Sequence, residues 1–391
     1  MQILLLRKEK KRRWWTHPML LRRESHGHFH VNYEEYRKHP DWFEDEYLMP
    51  IPVFDELLSM LSRNLSKQDT HMRKCIGPCE RLAVTLQYLA TGTSYKRLQN
   101  TYKISKKTLA KVIKETCGII WKVLAPTEMA VPNKESWKII SEGFKDNANF
   151  PHCLGALDGK HIRIQCPPNS GSLYFNYKKY NSIVLLALVD SNYCFTVIDV
   201  GSYGRENDST IFQSSILGQK LNEETLDLPE EEHIVSDGPK MPYVIVADEA
   251  FGIHRNLMRP YPGRCLPIDK KIFNYRLSRA RRYVECVFGQ LAAKFRIFHN
   301  TINLQPDTAI LVIKAACVLH NFMKRRALNA IDENKNNGHN ATDSDNEDIS
   351  NLQNMTPILQ RTRNSGLHIR NLFTDYFNTV GAVPWQNNYI V

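Results

Sequence analysis

Two apolar runs, each closed by an aspartate, constrain this chain more than anything else in it. Cys153-Leu154-Gly155-Ala156-Leu157 ends at Asp158, which Gly159-Lys160-His161 follows. Tyr243-Val244-Ile245-Val246-Ala247 ends at Asp248. Short apolar runs bounded by turn residues read as buried strands. A third acid, Glu285, stands in a helical pattern between Val284 and Phe288. Acids so far apart in sequence converge only through a folded sheet. Two strand-end aspartates and a helix glutamate would supply hard oxygen ligands, the donor set that divalent cations take for phosphoryl transfer.

The rest of the chain suits that chemistry. Its 391 residues allow two or three domains, at roughly 100–200 residues each. Hydrophobic residues make up 42% and charged ones 24%, so a sizeable core can form. The formal net charge of +11 favours a polyanionic partner, most simply nucleic acid, over a merely soluble basic surface. The nine cysteines are scattered. The apolar start Met1–Leu6 is followed rather than preceded by basic residues, the wrong order for a secretory signal. Free thiols in a reducing, intracellular compartment are expected. No run reaches the ~18–20 apolar residues of a membrane span.

Residues 1–44 read as a basic N-terminal arm. Arg7-Lys8-Glu9-Lys10-Lys11-Arg12-Arg13 suits nuclear import, a phosphate-binding arm or a solvated terminus. His26-Gly27-His28-Phe29-His30 reads as a polar loop, since no Cys or acid stands at metal-ligand spacing nearby. His71, Cys75 and Cys79 lack the fourth ligand and paired spacing of a zinc site. Residues 45–125 read as all-α. Within them Ser94–Tyr102 and Lys106–Ile120, joined by Lys103-Ile104-Ser105, form a helix-turn-helix-like pair or part of a plain bundle. Lys106, Lys107, Lys111 and Lys114 would put charge on the second helix for DNA. Residues 126–150 read as a linker carrying one helical piece.

Residues 151–327 carry the central domain. Strands are expected at 154–164, 182–189, 194–200 and 243–248, with a hairpin turn at Ser191-Asn192 and a short strand near Cys265. Helices are expected at about 208–217, 271–296 and 307–326. Residues 328–356 form an acidic, polar segment too poor in apolar surface to order itself. Residues 357–391 form a C-terminal helix and tail. Three antiparallel strands, a helix, a fourth strand and then helices is the order of an α/β, ribonuclease-H-like core, a mixed five-stranded sheet with flanking helices. In that order Asp158 and Asp248 sit on neighbouring strands. On a helical wheel Glu285 lies roughly 80° from the stripe of Leu277, Val284, Phe288, Leu291 and Phe295. There it would either point along the sheet edge toward the aspartates or pair with Arg281 or Arg282 at the surface.

Six blocks, in order, carry a resemblance. They are Gly155–His161, Tyr174-Phe175-Asn176-Tyr177-Lys178-Lys179-Tyr180-Asn181-Ser182, Gly201-Ser202-Tyr203-Gly204-Arg205-Glu206-Asn207-Asp208-Ser209, Ala247–Phe251, Arg281–Gly289 and Leu319-His320-Asn321-Phe322. Across roughly Trp14–Met323 the chain resembles the PIF/Harbinger superfamily of DDE transposases and the nuclease-like proteins domesticated from it. That resemblance implies a metal-dependent nuclease, catalytic and metal-binding at Asp158, Asp248 and Glu285, holding two Mg²⁺ or Mn²⁺ ions. It matches Asp208 to a further acid of less defined role. It also implies a DNA substrate, a nuclear location and a Myb/SANT-like DNA-binding partner; a homo-oligomer would handle two DNA ends. Cys286 and Gly252 depart from the family pattern without removing a ligand. Lys178, Lys179, Arg205, Arg279, Arg281 and Arg282 are candidate phosphate contacts. A domesticated protein that keeps the fold and binds DNA or chromatin without cutting is the rival reading.

Overall fold

The computed structural model describes residues 14, 16–71, 74–335 and 360–389 and falls into two units, Met1–Thr116 and Cys117–Val391. The basic run Arg7–Arg13 and residues 336–356 of the expected polar segment lie outside the described residues, whereas residues 328–335 of that segment are helical.

The first unit is helical from early on: α1 Pro18–Leu21, α2 Arg23–His26, α3 His28–Tyr36, α4 Pro40–Tyr47, α5 Ile51–Leu65, α6 Pro78–Thr91, α7 Tyr95–Tyr102 and the start of α8, Lys106–Glu128. The stretch expected to be an arm with a polar histidine loop is therefore mostly helix. Its aromatic residues explain why. Tyr33, Phe43, Tyr47 and Phe54 are buried, with Phe43 4.8 Å from the ring of Tyr47 and 5.2 Å from that of Phe54. Burying such rings stabilises short helices that would not hold alone. His30 faces the buried Glu80, Nε2 to Oε2 at 3.5 Å.

The pair α7 and α8 forms where the sequence pointed. Ser94 Oγ accepts from Arg97 N at 3.3 Å and Ser105 Oγ from Thr108 N at 3.3 Å, each satisfying a helix-start amide. Lys103 ends α7 in the left-handed region at φ 55°. Leu98, Ile104, Leu109 and Val112 are buried beneath the pair. Lys106, Lys107, Lys111 and Lys114 are exposed, Lys111 within 3.8 Å of Glu115.

In the second unit, residues 134–148 are no loose linker. Helix α9, Lys134–Ala148, starts at Asn133, whose Oδ1 accepts from Ser136 N at 2.9 Å, and it buries Trp137 and Phe144. Strands β1 Cys153–Arg163, β2 Ser182–Val189 and β3 Phe195–Tyr203 follow. The expected single helix after β3 is two, α10 Asp208–Ser214 and α11 Ile216–Asn222. Ser215 divides them at ψ 154° and caps α11, accepting from Gly218 N at 3.1 Å. A small pair, β4 Glu232–His233 and β5 Lys240–Met241, precedes β6 Val244–Ala247 and β7 Leu257–Met258. The fifth strand of the main sheet is thus at 257–258, not near Cys265. It is two residues long, too short for any periodicity to show. Helices α12 Ile268–Lys294, α13 Pro306–Lys335 and α14 Gln360–Asn378 complete the unit. No helix among the described residues is long and apolar enough to cross a membrane, and all nine cysteines are free thiols.

The main sheet has the order β3-β2-β1-β6-β7. β1, β2 and β3 pair antiparallel, whereas β1-β6 and β6-β7 pair parallel. Every residue of β2 is buried, so both faces of the sheet are covered. One face carries Leu154, Leu157, Val184, Leu186, Leu188, Ile245 and Ala247, packed with Trp137, Phe212, Leu217 and Phe251. Lys160 and its partner Leu185 face the other way, where Lys160 Nζ stands 5.4 Å from the Phe288 ring of α12.

The Leu319-His320-Asn321-Phe322 block has a structural task. Asn321, fully buried on α13, accepts from Phe195 N at 2.8 Å and donates to Phe195 O at 2.8 Å and Glu128 O at 2.9 Å. His320 Nε2 lies 2.9 Å from Tyr193 O. Replacing Asn321 by leucine would orphan one buried donor and two acceptors. Urea unfolding of Asn321→Leu is expected to show a loss of roughly 2–4 kcal/mol.

Candidate active site

The β1-β6 pairing brings Asp158 and Asp248 together. Leu157 lies opposite Ala247, so the next residue of each strand is one of the two aspartates. Leu157 and Ala247 point into the apolar cluster. Side chains alternate along a strand, so Asp158 turns to the opposite face, the side of α12, while Asp248 follows directly on the end of β6. Asp158 Oδ1 accepts from Gly159 N at 2.8 Å, and Asp248 Oδ1 from Ala250 N at 2.8 Å. Burial pushes the Asp158 carboxyl up to about 7; Arg281 opposes the shift, and the negative charge of Asp248 adds to it. Lys160 shares this face. Burial lowers its pKa and Asp158 holds it up.

Glu285 does not join the aspartates. Its side chain is 53% exposed and accepts a hydrogen bond from Arg281 Nη2 at 3.2 Å, one helical turn back. The Arg281 side chain is only 16% exposed and is the main attraction acting on Asp158. Of the two orientations open to a residue at that border, the structure has the ion pair.

Asp208 approaches from the other face of β1. It opens α10, behind Asn207, whose Oδ1 accepts from Thr210 N at 2.8 Å. A Cβ on Gly159 would run into the Asp208 carboxylate, so only glycine lets this acid lie against the strand. Burial raises Asp208 to about 6; Asp248 adds to the shift and Lys178 opposes it. Its Oδ1 is buried without a hydrogen-bond partner.

A divalent cation implied by such acids can be tested against these residues. Asp158 and Asp248 are oxygen donors side by side, one of them buried beside a like charge, and that set fits a hard cation. Among the described residues, however, no three His, Cys, Asp or Glu side chains already stand as a ligand group. Glu285 would have to leave Arg281 to complete one.

The candidate phosphate contacts divide. Lys178, Lys179, Arg205 and Arg282 are exposed. Arg279 stacks over Trp385, 5.9 Å from its ring centre. Lys106, Lys107 and Lys111 belong to the first unit. Arg281, expected as a phosphate contact or as a partner of Glu285, also faces Asp158, while Gly159 and Lys160 carried no role in the sequence reading. The Asp-Gly-Lys-His block was the available signal for those two, since a glycine inside a strand marks a close approach.

Residues 157–321 match the family model described as DDE superfamily endonuclease. The chain is 26% identical over 302 residues to "Protein ALP1-like" of Arabidopsis thaliana, covering 73% of this chain and 71% of that protein. It is 21% identical over 296 residues to "Putative nuclease HARBI1" of Xenopus laevis, covering 75% of this chain and 81% of that one. The protein of the same name from Rattus norvegicus is 22% identical over 290 residues, covering 71% and 77%. No solved structure matches the chain. Residues 157–321 thus match the DDE superfamily endonuclease model, and the chain resembles the Harbinger-superfamily, transposase-derived proteins.

Two outcomes follow from the buried acids. Asp158 is raised from 3.8 to about 7, so the folded state binds more protons than the unfolded one between those values. Stability contributed by this group is therefore present below about pH 4 and lost as pH rises to 7, by at most roughly 4 kcal/mol. Thermal melts of metal-free protein are expected to show Asp158→Asn melting above wild type at pH 8 and converging with it near pH 4. Gly159→Ala is expected to cost about 1–3 kcal/mol by forcing Asp208 off the strand, read as a lowered urea midpoint.

Proposed function

We propose that this chain is a metal-dependent DNA endonuclease of the DDE transposase type, with Asp158, Asp248 and Glu285 as its catalytic and metal-binding acids. The observation that carries the reading is the parallel pairing of Leu157 with Ala247, which sets Asp158 and Asp248 side by side as the next residues along the chain. The strand order supports a ribonuclease-H-like core, and the capped α7-α8 pair with its exposed lysines supports a helix-turn-helix-like DNA contact. The match to an endonuclease family and the name of the HARBI1 relatives support the reaction class.

Mg²⁺ or Mn²⁺, two ions in the full mechanism, would supply Lewis-acid stabilisation and lower the pKa of the attacking water or 3′-hydroxyl. The protein's own part is positional. Asp158 and Asp248 are held by backbone amides and present their remaining oxygens side by side. Glu285 enters when it releases Arg281, whose guanidinium is then free to face a phosphate. The exposed Lys178, Lys179 and Arg205 would hold the strand by its backbone, a contact that weakens with salt. Strand transfer after cleavage, a nuclear location, a Myb/SANT-like partner and a homo-oligomer that pairs two DNA ends belong to the same reading.

One observation favours a second reading, a domesticated protein that binds DNA or chromatin without cutting it. Arg281 already serves as the counter-charge for Asp158 and Glu285, so the charge cluster is partly compensated without a cation.

Purified protein incubated with supercoiled plasmid and Mg²⁺ or Mn²⁺ separates the two. Wild type is expected to nick, and Asp158→Asn, Asp248→Asn and Glu285→Gln each to lose about a hundredfold or more, the scale of removing one group that stabilises transition-state charge. Wild type as inert as the variants, with DNA binding intact, would establish the second reading. Full activity in Glu285→Gln alone would remove that residue from the site.

A further inference from the structure

Between β1 and β2 the chain makes a turn that the acid chemistry does not use. Asn176 is buried at its centre. Its backbone N donates to Tyr180 O at 2.9 Å, its Oδ1 accepts from Tyr180 N at 3.2 Å, and its Nδ2 donates to Ser182 Oγ at 2.9 Å. Ser182 N donates to Tyr174 O at 2.8 Å, and Lys179 takes the left-handed φ of 64°. Gly204 of the segment after β3 presses on the same turn, since a Cβ there would strike Tyr174 O and Ser182 Oγ. The turn is therefore fixed at its base on three sides.

Its tip is aromatic, exposed and basic. Tyr177 is 77% exposed and Phe175 48%. His161, whose Nδ1 lies 2.9 Å from Ser182 Oγ, meets the Tyr177 ring edge-on at 5.5 Å. Lys178 Nζ stands 5.4 Å from the centre of that ring. Arg163 stacks on Tyr180 at 4.2 Å. Large rings left in water on a rigid turn carry a hydration cost that an apolar partner removes. The surrounding cations call for a partner that is also anionic. The tip lies by the acids, for Lys178 acts electrostatically on Asp208, Lys160 and His161, and Asp208 on Asp158.

We propose that the Tyr174–Ser182 turn is a stacking platform for unpaired DNA bases, with Tyr177 under an unstacked base and Lys178 and Lys179 on its flanking phosphates. The substrate presented to the acids is then frayed, looped or single-stranded at the cut rather than continuous duplex. Aromatic faces accept any base, so the platform selects strand state and not sequence. The proposal rests on the nuclease reading for its substrate, DNA, but not on turnover.

The test is binding without cleavage. Full-length protein in EDTA is titrated into a short duplex bearing an unpaired arm with 2-aminopurine at the junction, and into the same duplex fully paired. Wild type is expected to favour the forked DNA, with quenching of the 2-aminopurine. Tyr177→Ala is expected to weaken forked-DNA binding about tenfold and abolish the quenching, with duplex binding and melting temperature unchanged. Tyr177→Trp should retain both signals. No preference for forked DNA in wild type, or Tyr177→Ala indistinguishable from it, overturns the platform. A wild type that binds forked DNA through Tyr177 yet never cuts with Mn²⁺ leaves the platform standing while the nuclease reading fails. A wild type that cuts, with Tyr177→Ala retaining the same fork preference, does the reverse.

Discussion

The parallel pairing of β1 with β6 is the contact on which the rest of the molecule depends. It sits at the middle of the sheet, so its faces are dry, and it ends with two acids level with each other. A parallel pair cannot be closed by a hairpin. The chain spends β2, β3, α10, α11 and the β4-β5 pair in returning to lie beside β1. Residues 164–243 of the second unit are the connection that this one pairing requires.

Placing like charges at the dry end of a sheet opposes folding, and the surrounding residues answer that electrostatically. Backbone amides of Gly159 and Ala250 each donate to one aspartate oxygen. Arg281 is the main opposing charge for Asp158 while pairing with Glu285. Asp208 is left with a buried oxygen that nothing bonds.

Strand-end aspartates, capped helices and the antiparallel trio were legible because each leaves a local mark: an apolar run, a serine before a helix, a turn dipeptide. Three features were not. The two-residue strand at Leu257–Met258 is too short to show a period. The early helices α1 to α4 depend on aromatic rings meeting in space, which a polar, histidine-rich sequence disguises. The orientation of Glu285 goes with its pairing to Arg281 one helical turn back, which its position on the helical wheel left open. The proximity of Asp158 and Asp248 could be read from the strand pattern, whereas the ion pair that holds Glu285 could not.

Asn321 bears on a different hazard. β3 lies at the border of the main sheet, with one row of peptide groups unpaired by any strand. The Asn321 amide takes both the N–H and the C=O of Phe195, the first residue of β3, as the peptide group of a neighbouring strand would. A single side chain thus impersonates a sixth strand for one residue's length. Such borders are where copies of a β protein zip onto one another. By occupying the starting register, α13 takes up the point at which an incoming strand would begin to pair.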